Sequence, residues 1–123
     1  MSYPKEPRQR NPHLLKMAKG EPCLLRIDGV CNGDSDTTVA AHSNQAAHGK
    51  GKARKAHDAY SVWACSACHM WLDIGVSPRA EKERAFEIGL SRQMAVWLEI
   101  AADDRQQPKD RKAAQWAIER MKA

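Results

Sequence analysis

Apolar residues come in short blocks over the first half of the chain and in helical stripes over the second. Cys23-Leu24-Leu25-Arg26-Ile27 is compact and apolar enough to predict a strand, and Asp28-Gly29 after it is a tight-turn pair. Thr37 to Ala41 opens on β-branched residues and predicts a second strand closing at His42. Tyr60 to Ala64, around Val62 and Trp63, predicts a third. The period then changes. Ala67 to Ile74 reads as a helix with Ser66 as N-cap and Gly75 as its stop. Ser77-Pro78 starts a longer helix, with Ser77 as cap and Pro78 in the first turn. Along it Phe86, Leu90, Met94, Trp97 and Ala101 recur at three- and four-residue steps, a core-facing stripe. Asp103 to Gln107 is polar, and Pro108 opens a last helix with Ala113, Trp116, Ala117 and Met121 on one face.

Ahead of these elements, His13 to Lys19 predicts a short helix stopped by Gly20 and Pro22. Residues 1–12 are polar, basic and proline-rich, and predict a disordered arm. Residues 13–123 then form one domain, with a motif core over 23–76 and C-terminal helices over 77–123. The expected class is α+β: a zinc-stapled ββα core with one short helix before it and two appended after it.

Composition narrows the function. A chain of 123 residues buries a modest core, so an internal staple is useful. No apolar run approaches the roughly 20 residues of a membrane span. The start of the chain shows no apolar leader segment, so a cytoplasmic location and no membrane partner are expected. Disulfides are disfavoured there, which turns the four cysteines towards metal. The net charge of +5 suits a polyanion. Lys50, Lys52, Arg54 and Lys55 fall within six residues, and this basic loop is the expected phosphate grip, where composition alone would equally allow a solvated loop.

The chemistry sits around Cys65-Ser66-Ala67-Cys68-His69. Two thiolates separated by two residues reach one tetrahedral ion at ~2.3 Å. Cys23 and Cys31 are separated by seven residues, and the Asp28-Gly29 turn can bring them together as the other half of a closed, structural zinc site. His42 at a strand end suits a general base near neutral pH. His69, one residue past the knuckle, suits a ligand to a catalytic divalent ion. Asp73 lies on the same helical face and is a second candidate ligand. Asp58 can orient the His42 ring, or serve only as a turn residue. His48 and His57 stay ambiguous between phosphate contact and exposed loop.

Taken together, Cys23-Leu-Leu-Arg-Ile-Asp-Gly-Val-Cys31-Asn-Gly, Ala41-His42, Asp58 and Ala64-Cys65-Ser-Ala-Cys68-His69 resemble the HNH, or ββα-metal, endonucleases. More narrowly they resemble small prophage-encoded nucleases of the YbcO type. The resemblance covers about 50 residues, 23 to 73. It implies His42 as general base, Asp58 where many members carry an asparagine, His69 as ligand to Mg2+, Mn2+ or Zn2+, and the four cysteines as the supporting zinc site. One departure stands out: Ala41 occupies the position where many members carry an acidic metal ligand.

The expectation is a metal-dependent DNA endonuclease, with His42 and His69 meeting at one phosphate. The rival is a non-catalytic, zinc-stapled nucleic-acid-binding module. The C-terminal helices could also pair two chains as a homodimer.

Overall fold

The computed structural model describes residues 10–45, 48 and 57–122. The expected basic loop, Lys50, Lys52, Arg54 and Lys55, lies outside the described residues, as does most of the expected N-terminal arm. The described chain is mixed α+β, with four helices and one small antiparallel sheet.

Helix α1 (Pro12–Lys16) begins on Asn11, whose side chain accepts the Leu14 amide at 3.1 Å. Pro12 at the first position loses no helical bond, because that amide would be unpaired anyway. Leu14 and Ala18 are buried from this segment. Gly20 then takes φ +78°, a left-handed turn that ends it.

Residues 23–27 are not the expected strand. The Leu24 amide bonds the Trp63 carbonyl at 2.7 Å, but the chain then turns away through Arg26 at φ 48°. The next amides point at sulfur: Arg26 N at Cys23 Sγ and Ile27 N at Cys68 Sγ, each 3.4 Å. Neighbouring Leu24 and Leu25 are both buried, where a half-buried strand would alternate. The turn after it does return the chain, with Cys31 N on Ile27 O at 2.9 Å.

After a 3-10 turn (Ser35–Thr37), β1 (Val39–His42) pairs antiparallel with β2 (Ser61–Ala64), with Ala40 opposite Trp63 and His42 opposite Ser61. Every residue of β2 is buried. Its outer edge is closed on both sides of Trp63: the carbonyl takes Leu24 N, and the amide donates to Gln93 Oε1 at 2.9 Å. No bare sheet edge remains there.

Helix α2 (Ser66–Ile74) is capped by Cys65, whose Sγ accepts the Cys68 amide at 3.4 Å. Ser66, the expected cap, is instead the first helical residue, and its amide donates to Thr37 Oγ1. Helix α3 (Arg79–Ala102) has no side-chain cap. Ser77 accepts the Trp71 indole N–H at 3.0 Å instead of capping α3. The α3 stripe does form the core: Phe86, Leu90 and Trp97 are buried, and Trp97 meets Trp63 edge-on at 5.4 Å. Gly89 permits the close approach of α3 to β2, since a Cβ there would lie 2.9 Å from Leu25 Cδ2 and 3.1 Å from Val62 Cγ1. Helix α4 (Pro108–Lys122) buries Ala113, Ala114, Ala117 and Ile118. Trp116 is half-buried and packs against this core from the edge of the stripe. No helix among the described residues is long and apolar enough to cross a membrane.

Candidate metal centre and histidine–aspartate pairs

The four cysteines converge. The Sγ atoms of Cys23, Cys31, Cys65 and Cys68 all lie within 4.8 Å of one another, and none is in a disulfide. A tetrahedral ion with ~2.3 Å thiolate arms needs sulfurs about 3.8 Å apart. Cys31 and Cys65 are at 3.9 Å. Backbone amides, among them those of Arg26, Ile27 and Cys68, already point at these sulfurs, as suits thiolates. Burial pushes the thiols of Cys31 and Cys68 up. Burial also opposes ionisation of Cys65, but the amides of Cys68 and Asn32 outweigh it and bring that thiol down to about 6. Four soft donors around one point fit a metal ion. Cys23, Cys65 and Cys68 are buried, so such an ion would staple the Cys23–Cys31 loop to the start of α2.

His42 and Asp58 form the second feature. His42 Nε2 lies 2.8 Å from Asp58 Oδ1. Asp58 is 2% exposed and accepts the Asn11 amide on Oδ2 at 2.6 Å, with the Arg10 guanidinium 3.5 Å from Oδ1. Burial alone would raise its carboxyl. The His42 and Asn11 hydrogen bonds and the nearby charges outweigh burial and hold it below the ordinary carboxylate value. An ionised carboxylate can only accept, so Nε2 carries a proton, and in the neutral ring the lone pair is then on Nδ1. Nothing local in the sequence pointed to Asn11, which is 47 residues from Asp58.

The third feature is on α2. His69 Nε2 lies 3.1 Å from Asp73 Oδ2, and Asn44 Nδ2 donates to Asp73 Oδ1 at 3.1 Å. A groove of about 370 Å³ opens beside this pair, walled by Val39, Met70 and Ile74. His42 does not line it. Side chains alternate along a strand, so Val39 and His42 leave opposite faces of β1. The structure therefore brings His42 to Asp58 and His69 to Asp73 as two pairs. Asn44, whose Cα lies within roughly 7 Å of that of His42 because two residues of chain reach no further, joins the second pair. Among the described residues the four cysteines are the one group of three or more such donors arranged for a metal. His69 and Asp73 offer two.

His48 belongs to neither pair. Its Nδ1 meets Ser43 Oγ at 2.6 Å and its ring stacks on Tyr60 at 4.3 Å. Burial lowers its pKa, and the ring serves as a packing clamp. His57 is half-buried and tilted against Tyr60.

Residues 12–102 match the family described as "Putative nuclease YbcO". The chain belongs to this family. It is 40% identical over 88 residues to "Putative nuclease YbcO" of Escherichia coli (strain K12), covering 69% of this chain and 90% of that protein. The same figures hold for "Putative nuclease ybcO" of Enterobacteria phage 82. A solved structure of "a putative bacteriophage protein from Escherichia coli str. K-12 substr. MG1655" is 32% identical at a TM-score of 0.54, covering 68% of this chain and 94% of that one. The family match runs from α1 to the end of α3 and leaves α4 outside it.

Proposed function

We propose that this protein is a metal-dependent endonuclease of the HNH, or ββα-metal, type that hydrolyses phosphodiester bonds in DNA. The observation that carries the reading is the His42–Asp58 pair: a ring held by a buried carboxylate, with its basic nitrogen left for substrate. In this reading Nδ1 of His42 takes a proton from water as the water oxygen attacks phosphorus. Asp58 holds the ring and stabilises the imidazolium that forms, a role distinct from proton transfer itself. The P–O3′ bond breaks, and the departing O3′ takes a proton from solvent water, leaving a 5′-phosphate and a 3′-hydroxyl. His69 and Asp73 would hold a divalent ion (Mg2+, Mn2+ or Zn2+), which supplies charge neutralisation at the phosphate and the departing oxygen. Asn44 fixes the Asp73 carboxylate from the loop that follows His42. The four cysteines would hold structural zinc and so set the first turn of α2, from which His69 projects.

Nuclease names among the relatives and the nucleic-acid-compatible net charge support the reading. The test is nicking of supercoiled plasmid with magnesium, manganese, nickel or zinc added. Wild type should cleave. His42→Ala should lose about 10²- to 10⁴-fold in rate, with zinc content and DNA affinity kept. Absence of cleavage with all four metals would refute hydrolysis.

One observation favours a second reading, a zinc-stapled nucleic-acid-binding module without catalysis. Ala41 stands at the position of an acidic ligand in the HNH pattern, and it is wholly buried opposite Val62. The same plasmid assay separates the two.

A further inference from the structure

The last helix carries a feature that neither histidine pair uses. Between α1 and α4 lies a groove of about 400 Å³, lined by Asn11, His13, Lys109, Lys112, Ala113 and Trp116. Lys109, Lys112 and Trp116 lie three and four residues apart, so one helical face presents all three. Both lysines are exposed, and neither has an acidic partner among the described residues. The nearest acid in sequence, Asp110, is engaged by His13 Nε2 at 2.7 Å, a contact that also ties α1 to α4. Trp116 is half-buried, with the Arg120 guanidinium 4.5 Å over its ring.

The groove is also wired to the candidate base. Asn11 lines it, and the Asn11 amide donates to Asp58, which in turn holds His42. Two unpaired ammonium groups beside an indole and a stacked guanidinium match a polyanion with flat bases. An acidic peptide would leave the aromatic surface without a counterpart, whereas unpaired bases stack on indole and guanidinium planes.

We propose that the α1–α4 groove is a track for a single-stranded nucleic-acid segment leading away from the His42–Asp58 pair. Lys109 and Lys112 hold its phosphates, and Trp116 receives a base. The inference rests on the nucleic-acid reading above and adds α4 to the binding surface.

The test measures fluorescence anisotropy of a labelled single-stranded oligonucleotide against the full chain carrying His42→Ala, with no divalent ion added, so hydrolysis plays no part. Adding Lys109→Gln with Lys112→Gln should weaken binding about tenfold. It should also flatten the dependence of log affinity on log salt by about 1.4, the loss of two phosphate contacts. Lys109→Arg with Lys112→Arg should restore both. Trp116→Ala should cost about tenfold while leaving the salt slope unchanged, and Trp116→Phe should recover most of it if the loss reflects stacking. Unchanged affinity and slope in the double Gln variant would overturn the proposal. A wild type that binds through these lysines but never cleaves would sink the hydrolytic reading and leave this one standing.

Discussion

Asp58 and His42 are bonded at 2.8 Å across sixteen residues, and the acid of the pair is buried while the ring is not. That asymmetry matters. The carboxylate is fixed from behind by the Asn11 amide, so it favours the tautomer of the neutral ring that leaves Nδ1 available.

Asp58→Asn keeps the size and removes the charge. An amide can offer either an N–H or an oxygen to the ring, so the tautomer is no longer imposed. We expect cleavage to fall about 10- to 100-fold with DNA affinity unchanged, read as single-turnover rates on plasmid. Asp58→Ala should in addition destabilise the fold by about 1–3 kcal/mol, because the Asn11 amide loses its acceptor. Urea unfolding of the two variants measures that difference.

The lowered pKa of Asp58 also predicts a pH dependence. Its folded value lies below the ordinary 3.8, so the unfolded chain binds the proton more readily. The contribution to stability is complete above the unfolded value and is lost as pH falls below it, through the folded value. The stability gap between wild type and Asp58→Asn should therefore shrink as pH falls below about 4. A gap that persists unchanged at pH 3 would contradict the assignment.

One zinc per chain is expected from elemental analysis. Four thiolates bind zinc in small domains with an apparent free energy of about 10–16 kcal/mol, comparable to the whole stability of a chain this size. Cys68→Ser, or extraction of the metal, should thus unfold the segment joining the Cys23–Cys31 loop to α2, seen as loss of near-UV dichroism. A metal-free protein with native spectra would dispose of the staple.

Trp97 lies at the centre of the α3 stripe, 1% exposed and edge-on to Trp63. Trp97→Ala should cost about 3–5 kcal/mol, measured by urea unfolding. A loss under 1 kcal/mol would mean that α3 does not build the core.

The sequence was most readable where one local rule decided the outcome. The α3 stripe of Phe86, Leu90 and Trp97 follows from helical period alone, and Cys65 and Cys68 meet because two intervening residues close a knuckle. Local pattern gives way where a residue's partner is remote in sequence or chemically unusual. Cys23 to Ile27 looked like a strand, yet its amides serve sulfur on Cys23 and Cys68. Ser66 and Ser77 looked like caps, yet Cys65 Sγ caps α2 and Ser77 serves the Trp71 indole. Trp116 packs against the core with the rest of its face, but it also lines the groove against α1, which no helical period announces. The support of Asp58 by Asn11 has no sequence pattern, because it depends on how α1 docks against the chain before β2.

The measurement closest to the central claim is a crystal structure of the protein soaked in manganese, with anomalous density recorded. A peak is expected beside His69 and Asp73, with an ordered water reaching towards Nδ1 of His42. A peak absent from His69, or a His42 ring turned to a surface that no water or phosphate could share with it, would contradict the account.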